Sequence, residues 1–160
     1  MGYRSDVCYV VKFFSNDQPE KAFADYLAFQ DWVKNKHTFS KEMPDSSTPK
    51  NVMKTVQHSY KDENGLIRWS REDCVMTFET DDVKWYDDYI DVEWHRALLE
   101  KVKEYKTGNY RSVRIGEDYS DVEVDEYADT YFEMWDLLEV HRGYNIHSNI
   151  QFDNEEKTDE

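Results

Sequence analysis

The chain has 160 residues, enough for one domain that folds on a single core and buries roughly 70% of the surface its unfolded form exposes. Aromatic residues make up 16%, which argues against a disordered chain. Thirty-five Asp and Glu against 20 Lys and Arg give a formal charge of −15, beyond the magnitude of about 2–8 that solubility asks of a small domain. Such a charge repels nucleic acid and anionic membranes and attracts cationic partners.

Val7 to Phe14 is a nearly continuous apolar run and reads as a buried strand. Ser15, Asn16 and Asp17 offer N-cap candidates, and Pro19 falls in the first turn of a helix, where its missing N–H costs nothing. Ala22, Phe23, Tyr26, Leu27, Phe29 and Val33 then recur at three- and four-residue spacing, the stripe of an amphipathic helix of about four turns. His37 to Asn51, polar and containing Pro44 and Pro49, reads as a loop. Val52 to Tyr60 fits a strand or a short helix. Glu63-Asn64-Gly65 is a turn signal that would join Val56–Tyr60 and Leu66–Trp69 in a hairpin.

Cys74 to Thr80 reads as a strand that continues through Val83-Lys84-Trp85-Tyr86 after a kink at Asp81-Asp82. A second helix follows from about Tyr89 to Lys106, with Trp94, Leu98, Val102 and Tyr105 on one stripe. Acids gather at its start and lysines at its end, as the helix dipole favours, and Gly108 is placed to terminate it. Tyr110 to Ile115 alternates as a strand, Gly116 to Ser120 is a turn, and Val122 and Val124 alternate with Glu123 and Asp125 as another strand. Tyr131 to Val140 fits either a helix or a strand; a hairpin with Val122–Tyr127 favours the strand. Asp153 to Glu160 reads as a disordered acidic tail.

This order predicts an α+β fold, a mostly antiparallel sheet with two amphipathic helices packed on it, over residues 1–152. Cys8 and Cys74 lie in apolar, strand-like contexts with no signal peptide before them, which fits two thiols in a reducing, cytoplasmic compartment. No apolar run is long enough to span a membrane.

Catalytic signatures are absent: there is no glycine-rich phosphate loop, dinucleotide fingerprint, nucleophile elbow or Cys-x-x-Cys pair. No cofactor and no metal site is expected, and the chain is not read as an enzyme. Asp91 and His95, four apart on the second helix, could offer two metal ligands, but such a pair is more often a surface hydrogen bond. His141 and His147 could form a pH switch, against the commoner case of two exposed histidines. Pro44-Asp45 followed by Asp82-Val83-Lys84 has the form of a metal-dependent nuclease site, although acidic-x-lysine triplets arise by chance among 35 carboxylates.

The acidic clustering is more informative. No Lys or Arg stands between Arg114 and Arg142, while Glu117, Asp118, Asp121, Glu123, Asp125 and Glu126 crowd the first half of that interval. Residues two apart on a strand share one face at roughly 6.8 Å, close to the spacing of successive DNA phosphates. Glu123 and Asp125, with Glu117 and Asp121 nearby, could thus present a phosphate-like row, against the plainer reading of a solvated acidic face.

The opening Met1-Gly2-Tyr3-Arg4-Ser5-Asp6-Val7 resembles the start of a group of small tailed-bacteriophage and prophage proteins. Val83-Lys84-Trp85-Tyr86, Arg114-Ile115-Gly116-Glu117 with Asp118 and Asp121, and Arg142 with Ile146 are also similar to that group. The resemblance brings no functional residue with it but implies a setting in which small acidic proteins block host machinery, including restriction enzymes and CRISPR effectors. The expected function is a phage-encoded inhibitor. It would bind a basic surface of a host protein through Glu117, Asp118, Asp121, Glu123, Asp125 and Glu126, with nucleic-acid mimicry as one mode, without contacting nucleic acid or membrane. The alternatives are a virion assembly accessory and a metal-dependent hydrolase.

Overall fold

The computed structural model describes residues 3–37, 39–44, 53–58, 65–87, 89–128, 138–140, 144–146 and 150–153, with the backbone alone at 39–44, 53–58, 138–140 and 144–145. The elements run β1 (Ser5–Phe13), α1 (Pro19–Asn35), β2 (Phe39–Pro44), β3 (Met53–His58), β4 (Gly65–Ser70), β5 (Val75–Val83), α2 (Ile90–Val102), β6 (Gly108–Gly116), β7 (Val122–Ala128), β8 (Leu138–Val140) and β9 (Tyr144–Ile146). Five strands form one antiparallel sheet in the order β4-β5-β1-β6-β7, and β2-β3 and β8-β9 form separate two-stranded ladders. The fold is α+β, with both helices packed on one face of the sheet.

The central strand explains its own composition. Val7, Tyr9, Val11 and Phe13 face the helices and join a core with Tyr26 and Phe29 of α1 and Trp94, Leu98 and Val102 of α2. Cys8 and Val10 face the other way, into a second cluster with Val75, Val113, Ile115 and Ile150, flanked by Ile146 and Phe152. A strand buried on both faces reads as a continuous apolar run rather than an alternation. The chain end seals this second face: the Asp153 N–H donates to the Trp69 carbonyl (2.9 Å), and the Arg68 guanidinium lies 4.0 Å over the Phe152 ring. Asp153, grouped with the tail from sequence, is thus part of the fold; residues 154–160 lie outside the described residues.

Several expectations are corrected. The loop expected over His37–Asn51 contains β2, paired with β3 from Phe39↔His58 to Pro44↔Met53. Pro44 sits at the strand's last residue, a position that tolerates its missing N–H, and its presence masked the strand. The hairpin expected around Asn64-Gly65 does not join its flanking runs, because β3 pairs with β2 while β4 pairs with β5. Helix α2 ends at Val102, and Gly108 opens β6 instead of capping the helix. A Cβ on Gly108 would stand 2.5 Å from the Val102 carbonyl oxygen, so the glycine serves the close approach of strand to helix end. The expected kink does occur, since Asp82 has φ 57° next to a register shift against β1, but the strand ends at Val83 and does not continue through Tyr86. Residues 131–137 of the ambiguous segment lie outside the described residues; Leu138–Val140 pairs with β9, not with β7.

Candidate functional site

The turn joining β6 to β7 is held by the start of the chain. The Tyr3 hydroxyl donates to Asp121 Oδ2 (2.6 Å) and accepts from the Asp118 N–H (2.9 Å), while the Tyr3 N–H donates to the Tyr86 hydroxyl (2.7 Å). The Arg4 N–H donates to Glu117 Oε2 (2.7 Å), its guanidinium donates to the Asp82 carbonyl (3.1 Å), and the Asp82 N–H donates to Asp6 Oδ1 (2.9 Å). Gly116 makes this corner possible, since a Cβ there would collide with both Asp121 and the Tyr3 ring. The bond to Asp121 holds the Tyr3 phenol above its ordinary pKa. Three segments separated by dozens of residues, at Tyr3–Asp6, at Asp82–Tyr86 and at Arg114–Asp121, converge here.

Arg114 is the hub. It donates to Asp121 Oδ1 (2.8 Å) and Oδ2 (3.2 Å), to Glu123 Oε1 (3.1 Å) and to the Ser5 hydroxyl (2.9 Å). Burial alone would lower its pKa, but the bonds to Glu123 and Asp121 outweigh that and hold the guanidinium charged. Three rungs away, Arg111 donates to Glu126 Oε1 (2.6 Å), and the Tyr110 hydroxyl donates to Asp125 Oδ2 (3.0 Å).

The six acids expected to bind a partner are therefore gathered at one sheet edge, but not in one row. Glu117, Asp118 and Asp121 belong to the turn. Glu123 and Asp125 point to the helix-bearing face, opposite Arg114 and Ser112, and Glu126 to the other, opposite Arg111. All but the half-buried Asp121 are exposed.

On the helix-bearing side, a cleft of about 770 Å³ opens between α2 and the β6–β7 edge. Its apolar lining includes Val7, Trp85 and Leu99 with Val122 and Val124 of β7, and its polar lining includes Tyr9, His95 and Ser112. Arg96 and Glu100 of α2 face Arg114, Glu123 and Asp125 across it. Tyr9 and His95 are hydrogen-bonded at 2.7 Å (hydroxyl to Nδ1), and the imidazole is buried among Phe78, Trp85 and Trp94, 4.1–5.3 Å between ring centres. Burial, then the bond to Asp125, raises the Tyr110 phenol well above its ordinary pKa.

The other candidates fare differently. Asp91 does not meet His95: its carboxylate accepts from the Val92 N–H (2.9 Å) at the helix start, while His95 is only 1% exposed. Among the described residues no group of three or more His, Cys, Asp or Glu could hold a metal. Asp82 is exposed on its kink, and Asp45, His141 and His147 lie outside the described residues. Cys8 is buried and Cys74 half-buried, both as free thiols, and burial raises the pKa of each. Among the described residues no helix is long and apolar enough to cross a membrane.

Sequence reasoning missed Arg114 as hub and the cleft beside it. The signal was present: Arg111 and Arg114, three apart on β6, stand where a hairpin register sets them against Glu126 and Glu123. Neither a family model, nor a curated protein, nor a solved structure matches this chain.

Proposed function

We propose that this protein is an acidic binding module that docks its β6–β7 edge on a basic, nucleic-acid-binding surface of a host protein and blocks it, and that it is encoded by a phage or prophage. The observation that carries the docking role is the concentration of six carboxylates at one edge of the sheet, on a strand paired with β6 and a braced turn, in a chain of net charge −15. The phage setting rests on the resemblance of the opening heptapeptide and its companion segments. Because the acids divide between a turn and two strand faces, the mode of action is electrostatic complementarity to a cationic surface. A regular copy of one phosphate strand is not required.

Electrostatic docking of this kind speeds association and weakens steeply with salt. The test is capture from nuclease-treated bacterial lysate at low salt, followed by kinetics with the purified captured protein. The expected result is an association rate that falls as salt rises, competition by duplex DNA, and loss of binding in the double variant Glu123→Lys/Asp125→Lys with the fold intact. A purified complex indifferent to salt, DNA and the double charge reversal overturns the proposal.

A further inference from the structure

We infer that the cleft between α2 and β7 receives an arginine side chain of the partner, so that the acidic edge recognises a basic segment through an inserted guanidinium. This deepens the acidic-docking proposal and rests on it. The cleft's volume of about 770 Å³ falls in the range of roughly 300–1,000 Å³ typical of ligand sites. It accommodates a long side chain with part of the segment that carries it.

The lining suits a guanidinium. Glu100 stands on the α2 wall, and Glu123 and Asp125 on the β7 wall. Each spends one oxygen on a partner within the chain: Glu100 Oε2 on Lys103, Glu123 Oε1 on Arg114 and Asp125 Oδ2 on Tyr110. Their second oxygens make no hydrogen bond among the described residues. A carboxylate offers about four acceptor positions, so among the described residues these three oxygens remain as acceptors along the cleft. The half-buried Trp85 adds aromatic surface on which a planar, weakly hydrated guanidinium stacks, while an ammonium would keep its water. The cleft wall itself carries one guanidinium held by carboxylates: Arg114, paired with Asp121 and Glu123.

The probe is the peptide acetyl-Gly-Arg-Val-Arg-Gly-amide, titrated into the full chain labelled with nitrogen-15. The same peptide is made with lysine, or with citrulline, in place of arginine. The arginine peptide is expected to shift the Trp85 indole and the Ser112 and Asp125 amides, the lysine peptide to bind at least tenfold more weakly, and the citrulline peptide not at all. Ser112→Leu fills the cleft floor without altering charge and is expected to abolish binding. Glu100→Lys, on the exposed face of α2, is expected to weaken it at least tenfold and covers the case in which the filled variant fails to fold. Equal affinity for lysine and arginine peptides, or full affinity in either variant, overturns the inference. If the captured partner nonetheless needs Glu123 and Asp125, the docking proposal stands without the cleft; if it ignores them as well, both fall.

Discussion

The helix-bearing side of the sheet has two halves built to different rules. Over β4, β5 and β1, helix α1 closes the surface with rings: Phe29 stands 5.3 Å from Phe13 and 6.2 Å from Trp69, and Tyr26 is 6.1 Å from Trp69. Over β6 and β7, the same face presents Ser112, Arg114, Glu123 and Asp125, and α2 leaves a cleft above them. Apolar side chains gain by expelling water, so the first half is filled. Buried polar groups cost free energy unless paired, so the second half invests in cross-strand ion pairs and hydrogen bonds and stays open. One half holds the fold together, and the other is available to bind.

The largest effect should come from the closed half. Phe29→Ala removes a ring with no exposed surface and should cost about 3–5 kcal/mol in urea unfolding, the range for aromatic-to-alanine changes in a core. A loss under 1 kcal/mol would erase the contrast between the halves. Arg114→Met should cost less, about 2–3 kcal/mol, because half-buried Asp121 loses its two-pronged partner. Tyr9→Phe should cost about 1–2 kcal/mol by leaving His95 Nδ1 without its buried hydrogen bond. Alkaline pH sharpens the comparison further. Tyr110's phenol is raised in the folded chain above its unfolded value of 10.0. Its contribution is therefore complete below that pH and is lost as pH rises towards the folded value. Tyr3 and Tyr105 are raised too, so the readout is a difference: Tyr110→Phe should show a shallower loss of stability above pH 10 than the parent chain.

The closed half was legible in the sequence because burial leaves periodicity. The stripe through Tyr26, Phe29 and Val33 and the apolar run of β1 both announced their surroundings. The open half was legible only as charge. Glu123 and Asp125 were visible as strand-borne acids, but their pairing with Arg114 and Tyr110 depends on the β6–β7 register, and the bracing of the turn by Tyr3 and Arg4 depends on contacts more than 100 residues apart. Such contacts have no local signature. The β2–β3 hairpin was missed for a different reason: two prolines and a run of polar residues outweighed a weak alternation. His37 shows the same limit. Read as the first residue of a loop, it stacks between Trp32 and Trp94 at 4.2 and 4.4 Å, and its Nε2 donates to the Trp94 carbonyl.

The smallest expected change is the most discriminating. Glu123 is 67% exposed along its side chain and shares Arg114 with Asp121, which grips the guanidinium through both its oxygens. Replacing it by Gln removes one exposed ion pair, a contribution of about 0–1 kcal/mol, and also removes one of many mutually repelling charges from a chain at −15. The two effects oppose, so the urea midpoint of Glu123→Gln should stay within the equivalent of about 1 kcal/mol of the parent, while partner association slows and its salt dependence flattens. A loss above 2 kcal/mol would mean that this strand is structural in the same sense as the aromatic half. An unchanged midpoint with slower association would place the acid's role at the surface where a partner arrives.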